Sequence, residues 1–349
     1  MKTVPIDIGM KIENDMNSFG KNFRTQIFGQ SHGEYVGIVI DGCPPGIGIT
    51  PDDFKEDIER RKPGAKGTTP RKEDDIPEII SGIFNNKSTG APITILFKNS
   101  NTRSSDYEKL RAVPRPGHAD FVAHKKFNGF EDYRGGGHFS GRLTVALVAA
   151  GVVAKKIIES FSSDKKIEVH STILEIGGEK DLEKGLQKAI DAKDSVGGIV
   201  ECKVSGLPIG LGEPFFDSIE SLISHAVFSI PAVKGIEFGA GFPAAKMFGL
   251  EHNDAIINPD GTTATNNAGG IVGGITNGNE LIFRIVVKPT SSTPKEQNTL
   301  NIENGKVEPF SVKGRHDLCI ALRVPVVLEA VTAMVLADLI KEFQSSINR

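Results

Sequence analysis

The segment RLTVALVAAGVVAKKII, residues 142 to 158, decides how the rest of the chain is arranged. Between Arg142 and Lys155 it holds twelve residues without a charge. That length is too short to cross a bilayer, which takes about 20 apolar residues. Because the segment is apolar on every side, it predicts a helix buried in a protein core. A second segment, VPVVLEAVTAMVLADLI after Arg323, has the same character, and an internal duplication is one interpretation of the pair.

Strand candidates lie on both sides of the first apolar helix. They are EYVGIVIDG (34–42), PITILFK (92–98) and LIFRIVVK (281–288), all rich in β-branched residues and bounded by turn residues. Strands, helices and glycine turns are mixed without the regular alternation of a doubly wound parallel sheet. The order therefore predicts an α+β fold with layered sheets and helices.

The stretch ITPDDFKEDIERR, residues 49–61, has the start signals of a helix. Thr50 suits the N-cap, Pro51 the first helical position and Asp53 the third. This helix ends in Arg60 and Arg61. Cations at a helix C-terminus gain about 0.3–1 kcal/mol from the helix dipole alone. The two arginines can therefore be either structural or ligand-binding.

We expect a single domain over residues 16–349, preceded by a mobile N-terminal extension, residues 1–15. The polar run SSTPKEQNTLNIENGK, residues 291–306, predicts a long surface loop and not a domain boundary.

Composition narrows the class of protein. The formal net charge is −3, so the chain lacks the basic excess that nucleic-acid binding usually requires. The cysteines Cys43, Cys202 and Cys319 are far apart and form no CxxC pair, which argues against disulfide frameworks and zinc knuckles. The N-terminus has no long apolar core of a secretory signal. A soluble enzyme of the reducing cytoplasm fits these observations.

Basic residues and glycines are concentrated in RPGHADFVAHKKFNGFEDYRGGGHFSGR, residues 115–142. Glycines let backbone N–H groups approach a ligand, and arginines bind carboxylate or phosphate with two donors. The stretch therefore predicts an anion site, with an ordinary surface loop as the alternative.

Three further motifs carry polar side chains suited to catalysis. His32 lies in the turn FGQSHGEY, His118 lies in RPGHAD, and Asp317 lies in GRHDLC. A histidine in a tight turn can exchange protons near neutral pH, although a structural loop histidine is the alternative. The run KPTSS, residues 288–292, offers a lysine and three hydroxyls to a phosphate or a polar heterocycle, or is a simple loop.

Several familiar sites are absent from the sequence. It contains no HExxH and no ligand spacing of a metal site, so we predict no metal. It also lacks the GxxxxGK[ST] loop and a GxGxxG after a strand. Ser31 beside His32 does not match the GxSxG elbow of hydrolases.

Ten fragments in order together resemble the chorismate synthase family. They are SFGKNFRTQIFGQSHG, DGCPPG, ERRKPG, RPGHAD, DYRGGGHFSGR, GEPFFD, IPAVKGIEFGAGF, NNAGGIVGG, KPTSS and GRHDLC. The resemblance runs from about Ser18 to about Leu339. It implies a sandwich of antiparallel sheets around buried helices. It also implies conversion of 5-enolpyruvylshikimate 3-phosphate to chorismate and phosphate, a 1,4-elimination that needs reduced FMN.

The resemblance also implies roles for individual residues. His32 would assist phosphate departure, His118 would protonate the reduced flavin, and Asp317 would help to remove the C6 proton. The implied substrate-binding residues are Arg60, Arg61, Arg115, Ser140, Arg142 and Arg315. The implied FMN-binding residues are His138, Phe139, Ser140, Ala232, Gly273, Lys288, Pro289, Thr290, Ser291, Ser292 and Arg315.

The sequence departs from the family pattern at three places. GQSHG replaces GESHG, GGGHFSGR replaces GGGRSSAR, and Gly67 stands where many members have an arginine. These changes affect the contacts expected at His138 and near Gly67. The family further implies a homotetramer supplied with reduced FMN by an external flavin reductase, or by NADPH in some members. A flavin- or anion-binding protein without catalysis and a different phosphate-lyase are the alternatives.

Overall fold

The two apolar segments form long helices that pack against each other at the centre of the molecule. The structure is a computed structural model that describes residues 17–69, 73–101, 111–161, 165–312 and 316–347. The expected extension at 1–15 and Arg315 lie outside the described residues. The described helices are α1 (Lys55–Arg61), α2 (Asp120–Lys126), α3 (Thr144–Phe161), α4 (Leu182–Ala192), α5 (Ile219–Val227), α6 (Gly249–His252) and α7 (Val324–Ile347).

The described strands pair antiparallel throughout. They are β1 (Ser18–Phe19), β2 (Arg24–Gly29), β3 (Tyr35–Asp41), β4 (Glu78–Ser81), β5 (Ile83–Phe84), β6 (Lys87–Ser88), β7 (Ile93–Lys98), β8 (Glu168–Ile176), β9 (Gly198–Ser205), β10 (Val233–Phe238), β11 (Ile271–Val272), β12 (Ile275–Thr276), β13 (Leu281–Val287), β14 (Gln297–Asn301) and β15 (Lys306–Phe310). One sheet has the order β1-β2-β3-β7-β4 and another the order β10-β13-β9-β8. The remaining strands form the two-stranded pairs β5-β6, β11-β12 and β14-β15.

The core lies between the two larger sheets. Helix α3 packs on β3 and β7 of the first sheet, and α7 packs on β8 and β9 of the second. The helices meet closely because residue 151 is glycine: a Cβ there would lie 2.4 Å from Cβ of Ala330. The layers are therefore sheet, helix, helix and sheet. The predicted α+β sandwich with antiparallel sheets is confirmed, and its two similar halves favour the internal duplication.

The segment Ile320–Ser345 is long and apolar enough to cross a membrane by length and composition, but 78% of its most apolar window is buried inside the protein. Its apolar character is thus accounted for by packing in the core.

The predicted elements are confirmed, with one error. The three predicted strands correspond to β3, β7 and β13, and the helix at 49–61 begins with a 3-10 turn, Pro51–Phe54, that continues into α1. Asp53 accepts hydrogen bonds from N and Oγ1 of Thr50 at 2.7 and 2.9 Å. The loop predicted at 291–306 is wrong in its second half, where β14 pairs with β15. Its apolar pair, Leu300 opposite Val307, is 39% and 68% exposed, so two short strands with so few apolar residues lack the alternation by which a half-buried strand is recognised.

Candidate active site

A turn of three glycines joins the two predicted catalytic histidines. Gly135, Gly136 and Gly137 have φ of +62°, +82° and +55°, within a 3-10 segment, Arg134–Phe139. A Cβ at 135 would lie 2.6 Å from Nε2 of His32, and one at 136 would lie 3.2 Å from Cε1 of His118. The bare backbone therefore fits between two imidazoles, and no larger residue could take its place.

The glycine turn is held at the end of β2. Ser31 N donates to Gly137 O at 3.0 Å, and His138 Nδ1 lies 2.8 Å from Gly29 O. Nε2 of His138 is 3.0 Å from Oδ1 of Asn17. His32 is 8% exposed. The histidine that replaces the family's arginine at 138 thus anchors the turn through both ring nitrogens.

The RPGHAD motif forms a compact ion cluster. Asp120 accepts from Nε and Nη2 of Arg115 at 2.7 and 2.8 Å, and its Oδ1 lies 2.5 Å from Nδ1 of His118. Burial would raise the pKa of Asp120, but the hydrogen bonds from Arg115 and His118 prevail and hold the pKa well below its usual range. Nη1 of Arg115 donates to Ser292 Oγ at 3.1 Å, which connects the cluster to the KPTSS segment.

The KPTSS segment packs on the turn that precedes His118. Lys288 Nζ donates to Gly117 O at 3.0 Å and to Ser291 Oγ at 2.8 Å. Burial, with a smaller effect of Lys234, lowers the pKa of Lys288. Lys288 N donates to Ala232 O at 2.9 Å, so this predicted flavin residue is adjacent.

A second cluster lies at the start of α3. Asp75 bridges Nη1 of Arg142 and Nη1 of Arg61, the latter at 3.2 Å. Arg61 also donates to Thr144 Oγ1 at 2.9 Å and to Gly141 O at 3.0 Å. All three charged side chains are at most 5% exposed. Because its donors are directed at protein acceptors, Arg61 holds the backbone at 141 and 142 in place.

Asp317 is connected to this second cluster by contacts with Arg323. Oδ1 of Asp317 accepts from Thr69 N at 2.8 Å, and its Oδ2 lies 3.3 Å from Nη1 of Arg323. Nε of Arg323 donates to Arg61 O at 2.9 Å. Burial, followed by the charge of Arg323, lowers the pKa of Arg61 to about 9. The glycine turn thus continues into Arg142 and, through these contacts, towards Asp317.

Two of the sequence-predicted residues lie apart from these clusters. Arg60 forms a bidentate ion pair with Glu329, both contacts being 2.7 Å, and lines a separate groove with Lys155 and His170. Gly273 lies in the tight turn between β11 and β12. The neighbouring residue in that turn, Gly274, accepts a hydrogen bond from Ile219 N at 3.0 Å, so the turn packs beside α5.

The departure at Gly67 has a structural explanation. Gly67 has φ +90°, and a Cβ there would lie 2.5 Å from Cδ1 of Leu186. Its carbonyl accepts from Leu318 N at 2.9 Å. An arginine at this φ would be strained, and its Cβ would push against the Leu186 side chain.

Sequence reasoning missed three residues that hold the site together, Asp75, Asp120 and Arg323. Asp120 had a local signal, because it stands two residues after His118 in RPGHAD. Asp75 and Arg323 stand in no such motif, and each has one partner far away in sequence, Arg142 at 67 positions and Arg61 at 262.

A cavity beside the glycine turn is lined by His118, Tyr133, Gly136 and Phe139, together with the carboxylates of Asp120, Glu131 and Asp132. The KPTSS segment does not line this cavity but is connected to it by the contact of Arg115 with Ser292. In that segment Thr290 Oγ1 is buried and has no hydrogen-bond partner in the described part of the chain. Lys288, the KPTSS hydroxyls and the bare glycine backbone offer donors of the kind that a flavin phosphate and ring require. Among the described residues no group of three or more metal-ligating side chains occurs.

Comparisons with known proteins agree over nearly the whole chain. A family model described as chorismate synthase matches residues 23–340. The chorismate synthase of Chitinophaga pinensis is 72% identical over 323 residues, covering 93% of this chain and 96% of that protein. That of Methanocaldococcus jannaschii is 41% identical over 363 residues, with coverage of 93% and 96%. A crystal structure of a chorismate synthase has a TM-score of 0.69 at 23% identity, covering 95% of this chain and 98% of that one.

Proposed function

The chain belongs to the chorismate synthase family, and we propose that its active site is the pocket around the glycine turn at 134–142. The family consists of lyases of the shikimate pathway, which eliminate phosphate from 5-enolpyruvylshikimate 3-phosphate to give chorismate. One observation supports the location of the site: a Cβ on Gly135 would meet the His32 ring, and a Cβ on Gly136 would meet the His118 ring, so both imidazoles lie against one turn.

We infer that the flavin of the family is reduced FMN here and that it binds along this turn. Lys288, Ser291 and Thr290 would hold its phosphate or ring edge, beside Ser292, Pro289 and Ala232. The backbone of Gly135–Ser140, with the ring of Phe139, would form the adjoining wall, and Gly273 and Arg315 remain predicted contacts. When bound, the reduced flavin supplies electron density that favours departure of the phosphate.

The residues of the chain bind and orient a substrate with one phosphate and two carboxylates. Nη2 of Arg115 lies beside the His118 ring, and the guanidinium of Arg142 binds Asp75, Asn99 and the Lys98 carbonyl at the end of β7. Ser140 lies between them in sequence, at the end of the glycine turn. A buried arginine and a charged ligand depend on each other more than the same pair in water does, because either charge would be very costly to bury alone. Arg61 shares the carboxylate of Asp75 with Arg142 and so helps to hold Arg142 in place. Arg60 stabilises the contact of α1 with α7.

Proton transfers are assigned to three side chains. His32 would donate to the departing phosphate oxygen, and His118 would hold a proton for the flavin. Asp317 would be the final acceptor of the proton lost from C6 of the substrate. Each acid or base contributes on the order of 10²–10⁴-fold to the rate when correctly placed.

A homotetramer in the cytoplasm is the proposed working form, with reduced FMN from a separate reductase or from NADPH. Apolar side chains on the segments after β9 support an assembly, because Phe216, Phe242 and Leu250 are 93%, 82% and 94% exposed. Patches of this kind commonly mark protein contacts. Cys43, Cys202 and Cys319 are buried free thiols, which suits a reducing compartment.

An anaerobic assay with photoreduced FMN tests the proposed function. The wild type should release one phosphate for each chorismate formed, and oxidised FMN should support no turnover. His32→Ala, His118→Ala and Asp317→Asn should each lower kcat by about 10²-fold or more, while His170→Ala, in the other groove, keeps the wild-type rate. Equal activity in all four variants would show that this pocket is not the active site.

A further inference from the structure

The carboxylate of Asp120 holds the RPGHAD turn together by accepting hydrogen bonds from other residues of the turn. Its Oδ2 accepts from the backbone N and from Nε of Arg115, at 3.1 and 2.7 Å. Its Oδ1 accepts from Nη2 of Arg115 at 2.8 Å and lies 2.5 Å from Nδ1 of His118. Four donors therefore converge on one carboxylate, which must be ionised to accept all of them.

These contacts decide which nitrogen of His118 carries a proton. An ionised carboxylate can only accept, and a guanidinium can only donate. Nδ1 of His118 faces Asp120 Oδ1 at 2.5 Å, and Nη2 of Arg115 at 3.1 Å. A bare Nδ1 lone pair would oppose the carboxylate lone pairs, so Nδ1 is the donor to Asp120.

We propose that Asp120 is a positioning residue that fixes His118 as the Nδ1–H tautomer and so leaves Nε2 as its reactive nitrogen. The catalytic consequence rests on the proposed function, whereas the tautomer itself does not. A charged residue that orients an imidazole in this way is a recurring device in enzyme active sites.

The surroundings of Nε2 fit this assignment. A Cβ on Gly136 would lie 3.3 Å from Nε2, so the glycine leaves that nitrogen uncovered by a side chain. His118, Asp120 and Gly136 line the same cavity as Phe139. Nη2 of Arg115 lies 3.2 Å from Nε2 and cannot accept a proton from it. In the neutral ring Nε2 is therefore the acceptor nitrogen, and in the doubly protonated ring it carries the proton that a ligand in the cavity can receive.

Arg115 connects this dyad to the predicted flavin wall. The guanidinium that binds Asp120 with Nε and Nη2 donates with Nη1 to Ser292 Oγ at 3.1 Å. Asp120 thus sets the position of His118 and of the KPTSS segment at once, and loss of its charge would disturb both.

Histidine-ring NMR of the ¹⁵N-histidine-labelled, ligand-free protein tests the proposal directly. His118→Gln assigns the signal. In the neutral ring, reached at alkaline pH, wild-type His118 should carry its proton on Nδ1. Asp120→Ala should shift the population to Nε2–H, and Asp120→Asn should give a mixture.

Glu131→Gln is the matched control, since the carboxylate of Glu131 pairs with a different histidine, lying 3.1 Å from Nδ1 of His124. It should leave the His118 signal unchanged. A neutral wild-type ring protonated on Nε2 would overturn the proposal, even if no Asp120 variant folds. So would an unchanged His118 tautomer in both Asp120 variants.

Steady-state kinetics provide a second test of the proposal. Asp120→Asn should lower kcat on the order of 10²-fold or more, because it misplaces a proton, and any rise in KM that follows from the disturbed Arg115 should be smaller than the loss in kcat. A tenfold rise in KM with unchanged kcat would contradict a positioning role. If the wild type forms no chorismate but shows the Nδ1–H ring, the proposed function fails and the tautomer assignment stands.

Discussion

Each described arginine that was predicted to bind substrate already has a carboxylate partner in the folded chain. The pairs are Arg60 with Glu329, Arg61 and Arg142 with Asp75, and Arg115 with Asp120. A guanidinium buried without a counter-ion would cost several kcal/mol. The chain thus keeps the site folded before any ligand arrives, and a substrate anion shares these donors with the resident carboxylates.

Gly135→Ala tests how closely the glycine turn approaches His32. An alanine at 135 carries the strain of a left-handed residue, about 1–2 kcal/mol, and its Cβ would also lie 2.4 Å from Cδ2 of His32. We expect kcat to fall at least tenfold as the imidazole is displaced. Steady-state kinetics and urea unfolding measure the two effects separately.

Gly305→Ala is the control for that strain. Gly305 has φ +73° with nothing within 4 Å of a built Cβ, so alanine should cost a similar stability and leave kcat unchanged. Equal kinetic losses in the two variants would show that the turn acts through stability alone.

The candidate catalytic residues of the site could be predicted from the sequence better than the ion pairs that hold them in place. His32, His118 and the glycines stand in short motifs whose residue types indicate their use. Asp75 gives no such sign, because its contact with Arg142 exists only after β4 and the start of α3 are brought together by the fold. For the same reason the sequence could not separate Arg60 from Arg61, which are adjacent in α1 but face different partners.

At the scale of elements, Arg60 connects α1 to α7. Its partner Glu329 is 1% exposed and also accepts from Ser171 N at 3.0 Å. Lys155 approaches the same carboxylate at 3.6 Å. This network joins α1, α3, β8 and α7, and its position explains an arginine at the end of α1 without a ligand.

Arg60→Ala should therefore destabilise the protein without weakening substrate binding. The loss of stability should be about 1–2 kcal/mol, because the Arg60 side chain is 37% exposed and Lys155 still faces the buried carboxylate of Glu329. KM should stay within about twofold of the wild type. Urea unfolding with steady-state kinetics measures both, and Arg24→Ala, from the exposed pair with Asp41, should cost less than about 1 kcal/mol. A tenfold rise in KM with an unchanged free energy of unfolding would show that Arg60 binds the substrate.

Elements were predictable where burial leaves a pattern. Strands β3, β7 and β13 have alternating or fully buried faces, and α3 and α7 are apolar all round. The hairpin β14-β15 is different because its strands are short and its apolar pair, Leu300 and Val307, is exposed. Its one local sign was the Asn304-Gly305 dipeptide, which favours a turn.

At the scale of the whole molecule, the site is assembled from both halves of the sandwich. The first sheet brings His32, and the start of α3 brings the glycine turn and Arg142. The second half contributes Lys288 after β13 and Asp317 before α7. Two similar layers thus meet where their connecting segments are rich in glycine and charge, which accounts for the concentration of those residues there.

Hydrogen–deuterium exchange of the complex with oxidised FMN and substrate, which cannot turn over, tests the location of the site most directly. We predict slower exchange in peptides covering 115–142 and 288–292, and no change in 155–159 and 168–171, which line the groove of Arg60. Protection of the groove peptides with unchanged exchange at 115–142 would contradict the account.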